Sequence, residues 1–170
     1  MSQQELKLPE GWYDVELGNP NVSKIVMGQS PPSSTYNQEK NGLPFFQGTK
    51  DFGKKNPTVT VWCSKPNRIA EKGDMLFSVR APVGTINWAN EKCCIGRGLA
   101  SIRPKINSEY VYYFLKLIES EIILSGSGSI FNSITKDELH KRKISIAPLN
   151  EQKRIVSKIE ELFSRIDSAK

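Results

Sequence analysis

Clustered apolar residues in the middle of the chain predict a set of short strands. The candidate segments are rich in β-branched and aromatic residues, and Gly, Pro, Asn and Asp separate them, as is typical of turns. They cover residues 58–62, 75–79, 85–89 and 94–102. We therefore expect a mixed sheet or a partial barrel in this part of the chain.

Helical periodicity begins at Ser108, after which apolar residues recur every three or four positions. Ser108 is a suitable N-cap, and Gly126 is a suitable stop at the other end. The predicted helix is expected to cover the sheet with one apolar face, which carries Val111, Phe114, Leu115, Ile118 and Ile122.

A second, shorter helix is predicted by the spacing of Thr135 and Glu138, which matches a capping box, and it is expected to end near Arg142. Residues 144–146 then alternate between apolar and polar, which indicates a brief strand. Strands and helices in this order predict the α+β class, as a mixed sheet or partial barrel with packed helices.

The last segment, residues 150–170, has the pattern of a long helix with a heptad seam. Asn150 is a suitable N-cap, and no Gly, Asn or Pro interrupts the pattern before Lys170. Alternating four- and three-residue steps place four residues on one seam: Ile155, Ile159, Leu162 and Ile166. We expect the start of a coiled-coil spacer or dimerisation helix at 150–170, after a globular domain at 1–149. The alternative is a helix folded back on its own domain.

A chain of 170 residues can hold one domain with a substantial core and an appendage. It has no run of eighteen apolar residues and no secretory signal, so no membrane partner and a cytoplasmic location are expected. Three cysteines, two of them adjacent, favour reduced thiols over a disulfide framework.

The net charge of +6 is concentrated in one part of the chain. Residues 50–105 contain eleven Lys or Arg and four Asp or Glu, a net of +7, whereas the remainder has a net of −1. Such a region is typical of a surface that follows a phosphate backbone. A solvated basic face without a partner is the alternative reading.

Catalytic and metal-binding patterns are not evident in the sequence. The single histidine, His140, lies beside Lys141 and Arg142 and is interpreted as a surface residue. The cysteines do not have the spacing of a zinc site, and the glycines near 126–128 do not form a nucleotide-binding loop. We therefore predict no catalytic residues, no metal site and no enzyme.

Several short motifs occur in an order that resembles a target-recognition domain of type I restriction-modification specificity (S) subunits. The motifs are LPEGW at 8–12, GQSP at 28–31, LPFFQG at 43–48, GDMLFSVRAPVG at 73–84, CIGRGL at 94–99, GS at 128–129 leading to IT at 134–135, and IAPLNEQKRIV at 146–156. The last motif resembles the start of the family's spacer helix.

This resemblance implies a role in DNA recognition and a set of partners. In the family, two such domains are held apart by paired antiparallel helices, and each reads one half of a bipartite double-stranded DNA target. The chain is then expected to be a fragment, or a half-length S protein that pairs with a second recognition domain or a second copy through its spacer helix. Methyltransferase (M) and restriction (R) subunits would carry the S-adenosylmethionine, ATP and Mg²⁺, and this chain would bind no cofactor.

Candidate DNA contacts are basic or amide side chains on predicted loops, where they can reach phosphates and groove edges. The loop at 50–56 offers Lys50, Lys54, Lys55 and Asn56, with Phe52 as an aromatic that could stack. Other candidates lie beyond it: Arg80, Arg97, Lys65, Arg68, Lys136, and Asn132 in a polar loop with Ser129 and Ser133. Gly96 and Gly98 are interpreted as turn or close-packing positions.

Two other functions remain open at this stage. A protein-interaction adaptor would act through the seam of the last helix, and its basic region would only aid solubility. It would self-associate without salt-sensitive DNA binding. An autonomous nucleic-acid enzyme would need metal-dependent cleavage or methylation by the chain alone.

Overall fold

The computed structural model describes residues 7–124 and 132–169. The chain order is β1 (Tyr13–Glu16), β2 (Ser23–Met27), β3 (Tyr36–Asn37), β4 (Leu43–Phe46), β5 (Trp62–Cys63), β6 (Ile69–Ala70), β7 (Met75–Ser78), β8 (Ile86–Trp88), β9 (Cys93–Ile95), β10 (Leu99–Pro104), α1 (Ser108–Leu124), α2 (Lys136–His140), β11 (Lys143–Ile146) and α3 (Leu149–Ser168). The mixture of sheets and helices agrees with the predicted α+β class.

A four-stranded antiparallel sheet, in the order β2-β10-β7-β8, forms one side of the main core. Every residue of β7 is buried, as are the first four of β10, because both strands are central. Helix α1 covers this sheet through Val111, Leu115 and Ile118, and Leu139 of α2 fills the same core. Each fully buried aliphatic side chain of this kind stabilises the fold by about 2 kcal/mol.

A second sheet has the order β3-β5-β4-β9-β6, and its strands β4 and β9 are parallel. Phe46, Ile95 and Leu99 pack in its core and link it to the first sheet, since Leu99 belongs to β10. The three cysteines are buried and unpaired, as predicted. Burial raises the pKa of Cys93 to about 12, so this residue stays a thiol at neutral pH.

Strands β1 and β11 form a separate antiparallel pair that holds the two ends of the domain together. The Tyr110 hydroxyl donates to the Ser145 carbonyl at 2.7 Å and thereby fastens α1 to β11. The last helix, α3, packs its first turns on α1, with Gln152 and Val156 buried. The Tyr113 and Phe163 rings stack at 6.3 Å between the two helices.

Several predicted elements are corrected by the structure. The single strand expected at 94–102 is two strands, β9 and β10, in different sheets, because the glycine-containing turn at 96–98 separates them. Of the strand expected at 58–62, only Trp62 belongs to a strand, β5. The predicted strands at 75–79 and 85–89 are present as β7 and β8, and that at 144–146 is present within β11.

The helix termini differ from the predicted caps. Asn107, not Ser108, caps α1, since its Oδ1 accepts from the Tyr110 N–H at 2.9 Å. Helix α3 begins at Leu149 after Pro148 rather than at an Asn150 cap. The capping box of Thr135 and Glu138 is confirmed, and α2 ends at His140. Gly126 lies outside the described residues, and the division into a domain and a spacer stays a prediction.

His140 was expected at the surface, but it is half-buried against Gly18. A Cβ built on Gly18 would lie 2.4 Å from His140 Nδ1, and Nε2 is buried without a hydrogen-bond partner among the described residues. The histidine therefore packs against the turn that follows β1. No described helix has both the length and the apolar character that crossing a membrane requires.

Candidate nucleic-acid interface

The parallel pairing of β4 and β9 brings two loops to one edge of the sheet. Phe46 pairs with Ile95, so both strands end at the same level. The chain continues from β4 into Gln47 and Gly48, and from β9 into Gly96 and Arg97. Two hydrogen bonds join these loops, from Gly96 N to Phe46 O at 2.8 Å and from Gly98 N to Gln47 O at 3.0 Å.

Glycines allow three segments to approach closely at this edge. A Cβ on Gly28 would lie 2.0 Å from the Gly96 carbonyl oxygen, and one on Gly98 would lie 2.5 Å from the Gln47 oxygen. Real Cβ contacts of this length do not occur, so neither position accepts a side chain without a shift of the backbone. The interpretation of Gly96 and Gly98 as close-packing positions is confirmed, and the close approach brings Ser30 beside Gln47.

Three polar residues meet where these segments cross. The Ser30 hydroxyl donates to Gln47 Oε1 at 2.9 Å, and the Arg97 N–H donates to the Ser30 Oγ at 3.2 Å. Gln47 and Arg97 are exposed, and Ser30 is half-exposed. Burial raises the pKa of Tyr36, and the positive charge of nearby Arg97 opposes this rise. The Tyr36 hydroxyl therefore interacts electrostatically with Arg97.

Arg80 adds a second arginine near these three residues. Ser78 of β7 pairs with Leu99 of β10, and Val79 N donates to Gly98 O at 3.0 Å, so Arg80 and Arg97 are the chain neighbours of two hydrogen-bonded residues. A bridge from Arg80 to Ser133 and a hydrogen bond from Ala81 N to Asn132 O, 3.1 Å long, add the next segment. We call the resulting surface the polar row; its members are Ser30, Gln47, Arg97, Arg80, Asn132 and Ser133.

The cations of this surface are not used to brace the fold. Within the ranges 7–124 and 132–169, neither Arg80 nor Arg97 forms an ion pair, whereas Arg103 is held by buried Asp74 and Arg154 by Glu151. Both guanidinium groups are therefore available to an anionic ligand such as phosphate. Lys136, which opens α2, lies two residues beyond Ile134, whose N–H donates to Val79 O at 2.9 Å.

The loop predicted at 50–56 divides into two parts. Lys50 is exposed in a 3-10 turn, Thr49–Asp51, that directly follows Gly48 beside the polar row. Farther along, Lys55 O accepts from Trp88 N at 2.8 Å, and Asn87 exchanges hydrogen bonds with Gly53. Residues 53–56 are therefore bound along β8.

This attachment changes the interpretation of two candidates. The Asn56 side-chain amide donates to the Trp88 carbonyl at 2.7 Å, so it braces the loop instead of being free to read adenine. Phe52 packs against the core beneath the second sheet and is not an exposed wedge. The exposed cations Lys54 and Lys55 border a groove of about 880 Å³ with Trp88 and Tyr112, on the side of α1 rather than at the polar row.

The remaining candidates lie at two different edges. Arg68 is exposed at the start of β6, and its carbonyl accepts from Ile95 N at 2.9 Å, which places it near the polar row. Lys65 follows β5 at the other end of the sheet, where Ser64 N donates to Thr35 O. Ser129 lies outside the described residues, and the described residues contain no metal-binding cluster of His, Cys, Asp or Glu.

Sequence reasoning missed Ser30 and Gln47 as functional candidates. Both belong to motifs that were interpreted as scaffold, and their contact joins residues 17 positions apart. No local pattern in the sequence points to this contact.

The seam of the last helix is partly covered by its own domain. Ile155 and Ile159 are half-buried in a groove of about 550 Å³ between α3 and α1, which also contains Trp12, Tyr113 and Phe163. Leu162 and Ile166 are exposed, at 47% and 54%. The first part of the helix therefore folds back on the domain, and the second part presents an apolar face.

Comparison with known proteins identifies the family. Residues 9–170 match the family described as "Type I restriction modification DNA specificity domain". The chain belongs to this family. It is 44% identical over 164 residues to a putative type I restriction enzyme MjaX specificity subunit of Methanocaldococcus jannaschii, covering 95% of the chain and 39% of that protein. The type I restriction enzyme EcoDI specificity subunit of Escherichia coli is 24% identical over 164 residues, and the match covers 96% of this chain and 34% of that protein.

Solved structures of similar chains have the same architecture. An HsdS subunit from Thermoanaerobacter tengcongensis superimposes with a TM-score of 0.86 at 46% identity, covering 98% of this chain and 41% of that one. A chain from a solved structure of complex assembly and conformational transition in a type I R-M system also superimposes with a TM-score of 0.86, at 48% sequence identity. The match covers 99% of this chain and 42% of that chain. The chain spans about two fifths of these relatives. Its expected non-catalytic character is consistent with the curated relatives being named specificity subunits.

Proposed function

We propose that this specificity domain binds double-stranded DNA through the polar row and reads one half of a bipartite target. The observation that carries the proposal is that Arg80 and Arg97 flank the hydrogen bond between Val79 and Gly98, and that both are exposed and without an ion pair in the described ranges. Two guanidinium groups beside an amide and hydroxyls offer phosphate contacts and groove contacts on one surface. Lys50, Arg68, Asn132 and Lys136 extend this surface.

The proposal includes the assembly that would use this reading. Methyltransferase and restriction subunits would supply the chemistry, with S-adenosylmethionine, ATP and Mg²⁺ bound there and not on this chain. A second recognition domain, in the same protein or in a second copy, would read the other half-site through pairing of the spacer helix. The exposed apolar half of α3 supports this part of the proposal.

The test is binding of the purified chain to duplex DNA over a series of salt concentrations. Removing one phosphate contact lowers the slope of log affinity against log salt by about one unit. We expect Arg80→Gln and Arg97→Gln each to weaken binding and to lower this slope. Lys24→Gln is the matched control, because Lys24 is exposed on β2 and lies opposite Arg103 in the strand register. This is the end of β10 that is farthest from the polar row.

Three results would count against the proposal. Equal losses in the Lys24 variant would mean that binding follows net charge rather than this surface. Unchanged affinity and slope in both arginine variants would remove the polar row from the interface. Self-association through α3 without DNA binding at any salt concentration would favour a protein-interaction adaptor.

A further inference from the structure

The side chain of Gln47 occupies space that the absence of a side chain at Gly96 provides. A Cβ on Gly96 would lie 2.7 Å from Gln47 Oε1, 2.9 Å from its Cδ and 3.0 Å from its Cα. The amide thus lies against the turn that follows β9, although it remains exposed to solvent. An exposed side chain fixed in this way loses little freedom when a ligand binds.

Hydrogen bonds also set the direction of this amide. Ser30 accepts the Arg97 N–H, and its hydroxyl donates to Gln47 Oε1. The oxygen of the amide is therefore directed toward Ser30, and the opposite group, the Nε2 amine, donates to no residue within 7–124 or 132–169. Gln47 consequently offers two N–H donors to a ligand, beside the cations Arg97 and Arg80.

We infer that Gln47 is a base-reading residue that selects guanine in the major groove, with Ser30 and Gly96 as its positioning residues. The inference rests on the proposed DNA binding and adds the base class that this site would take. In the major groove guanine presents two adjacent acceptors, N7 and O6, and thymine presents one acceptor, O4, beside a methyl group, whereas adenine and cytosine each present an amine donor. An outward amine matches the guanine edge, and the usual pairing of glutamine with adenine would need the oxygen that Ser30 engages.

The experiment compares the DNA motifs that the wild-type chain and its variants select from a random duplex pool. Gln47→Glu keeps the size of the side chain and replaces its donors with acceptors, so one guanine of the motif is expected to change to cytosine, whose N4 amine donates. Gln47→Ala is expected to lose about tenfold discrimination at the same base pair. The salt slope should stay unchanged in the alanine variant, because no phosphate contact is removed.

The positioning role is tested at neighbouring residues. Gly96→Ala and Ser30→Ala retain Gln47 but displace or release its amide, and both are expected to relax the preference at the same base pair as Gln47→Ala. Gly48→Ala is the matched control, because a Cβ there meets nothing within 4 Å and the backbone φ of −172° is ordinary extended geometry. Circular dichroism of each variant checks that the fold is retained.

The outcomes separate this inference from the proposed function. If the wild-type chain selects a motif that Gln47→Glu leaves unchanged at every position, the inference is wrong and the proposed function stands. Salt-sensitive binding with no motif overturns the inference and the reading of a half-site but leaves DNA binding through the polar row standing, since no base is then read. Failure of the wild-type chain to bind DNA at low salt overturns both. Should Gly96→Ala fail to fold, Gln47→Glu still decides, because the exposed side chain keeps its size.

Discussion

Asp74 is a buried carboxylate whose bonds connect the turn before β7 to β10. It accepts hydrogen bonds from Ser101 Oγ at 2.6 Å, from Glu71 N at 2.9 Å, and from Arg103 Nε at 2.7 Å and Nη2 at 2.9 Å. Burial alone would raise its pKa, but the bonds from Arg103 and Ser101 outweigh this effect, and the pKa lies below its usual value. The carboxylate therefore stabilises the fold in its charged form.

Replacing Asp74 by Asn is expected to lower the free energy of unfolding by about 2 kcal/mol at pH 7. This is less than the cost for a fully buried pair, because the Arg103 side chain is 38% exposed. A lowered pKa contributes stability above the unfolded-state value of about 4, and that contribution is lost as the pH falls through the folded-state value. Urea unfolding at pH 7 and at pH 3 measures the difference between the two proteins, which should shrink at pH 3.

The control for this prediction lies in the same turn. Glu71 forms an exposed ion pair with Lys92 at 3.5 Å, so Glu71→Gln should change the unfolding free energy by less than about 0.5 kcal/mol. A difference between wild type and Asp74→Asn that stays constant from pH 7 to pH 3 would show that the charge of Asp74 is not what stabilises the turn.

At the scale of elements, the sequence correctly predicted the helices and strands whose formation depends on residues close together in the chain. Helix α1, the capping box of α2 and the strand at 144–146 all follow from periodicity or from spacing within a few residues. The run at 94–102 was misread because buried strands in two different sheets have the same apolar pattern, and periodicity does not separate them. Short strands such as β3 and β6 have two residues each and carry no pattern.

The candidate site was predictable only in part, because its contacts join residues that are far apart in the sequence. Arg80 and Arg97 were selected from their residue type, yet they are brought near each other by the pairing of β7 with β10 and the hydrogen bond from Val79 N to Gly98 O. Asn56 was selected by the same reasoning, but its partner Trp88 is 32 positions away, so the sequence did not indicate its bracing contact. Ser30 and Gln47 meet across 17 residues, which equally leaves no local signal.

The attachment of α3 to the domain depends on Gln152, which is 4% exposed. Its Nε2 donates to Ala147 O at 2.8 Å, and its Oε1 accepts from Asn107 N at 3.4 Å, at the cap of α1. Gln152→Ala is expected to destabilise this junction by about 1–3 kcal/mol, because buried backbone groups lose their partners. Hydrogen exchange of α3 amides measures the effect, with the exposed neighbour Lys153→Ala as control. Equal protection in both variants would contradict it.

At the scale of the whole molecule, α3 has two halves in different environments. The first half is anchored by Gln152 and Val156 and closes over a groove on its own domain. The second half exposes Leu162 and Ile166 at 47% and 54%, whereas Phe163 between them stacks on Tyr113 of α1. Exposed apolar side chains one turn apart on a helix favour pairing with another helix, so this end is the expected contact with a second recognition domain.

The final prediction is that this exposed seam drives self-association of the chain in solution. Sedimentation velocity over a range of concentrations should show a reversible dimer, and Leu162→Glu combined with Ile166→Glu should leave a monomer, because two charges on the seam oppose burial. Affinity for a single half-site should not change, since the polar row is formed by residues outside α3. Ser157→Glu combined with Ser164→Glu is the matched control, because both serines are exposed on the same helix off the predicted seam. A wild-type chain that stays monomeric at every concentration, or a double seam variant that still dimerises, would contradict pairing through Leu162 and Ile166.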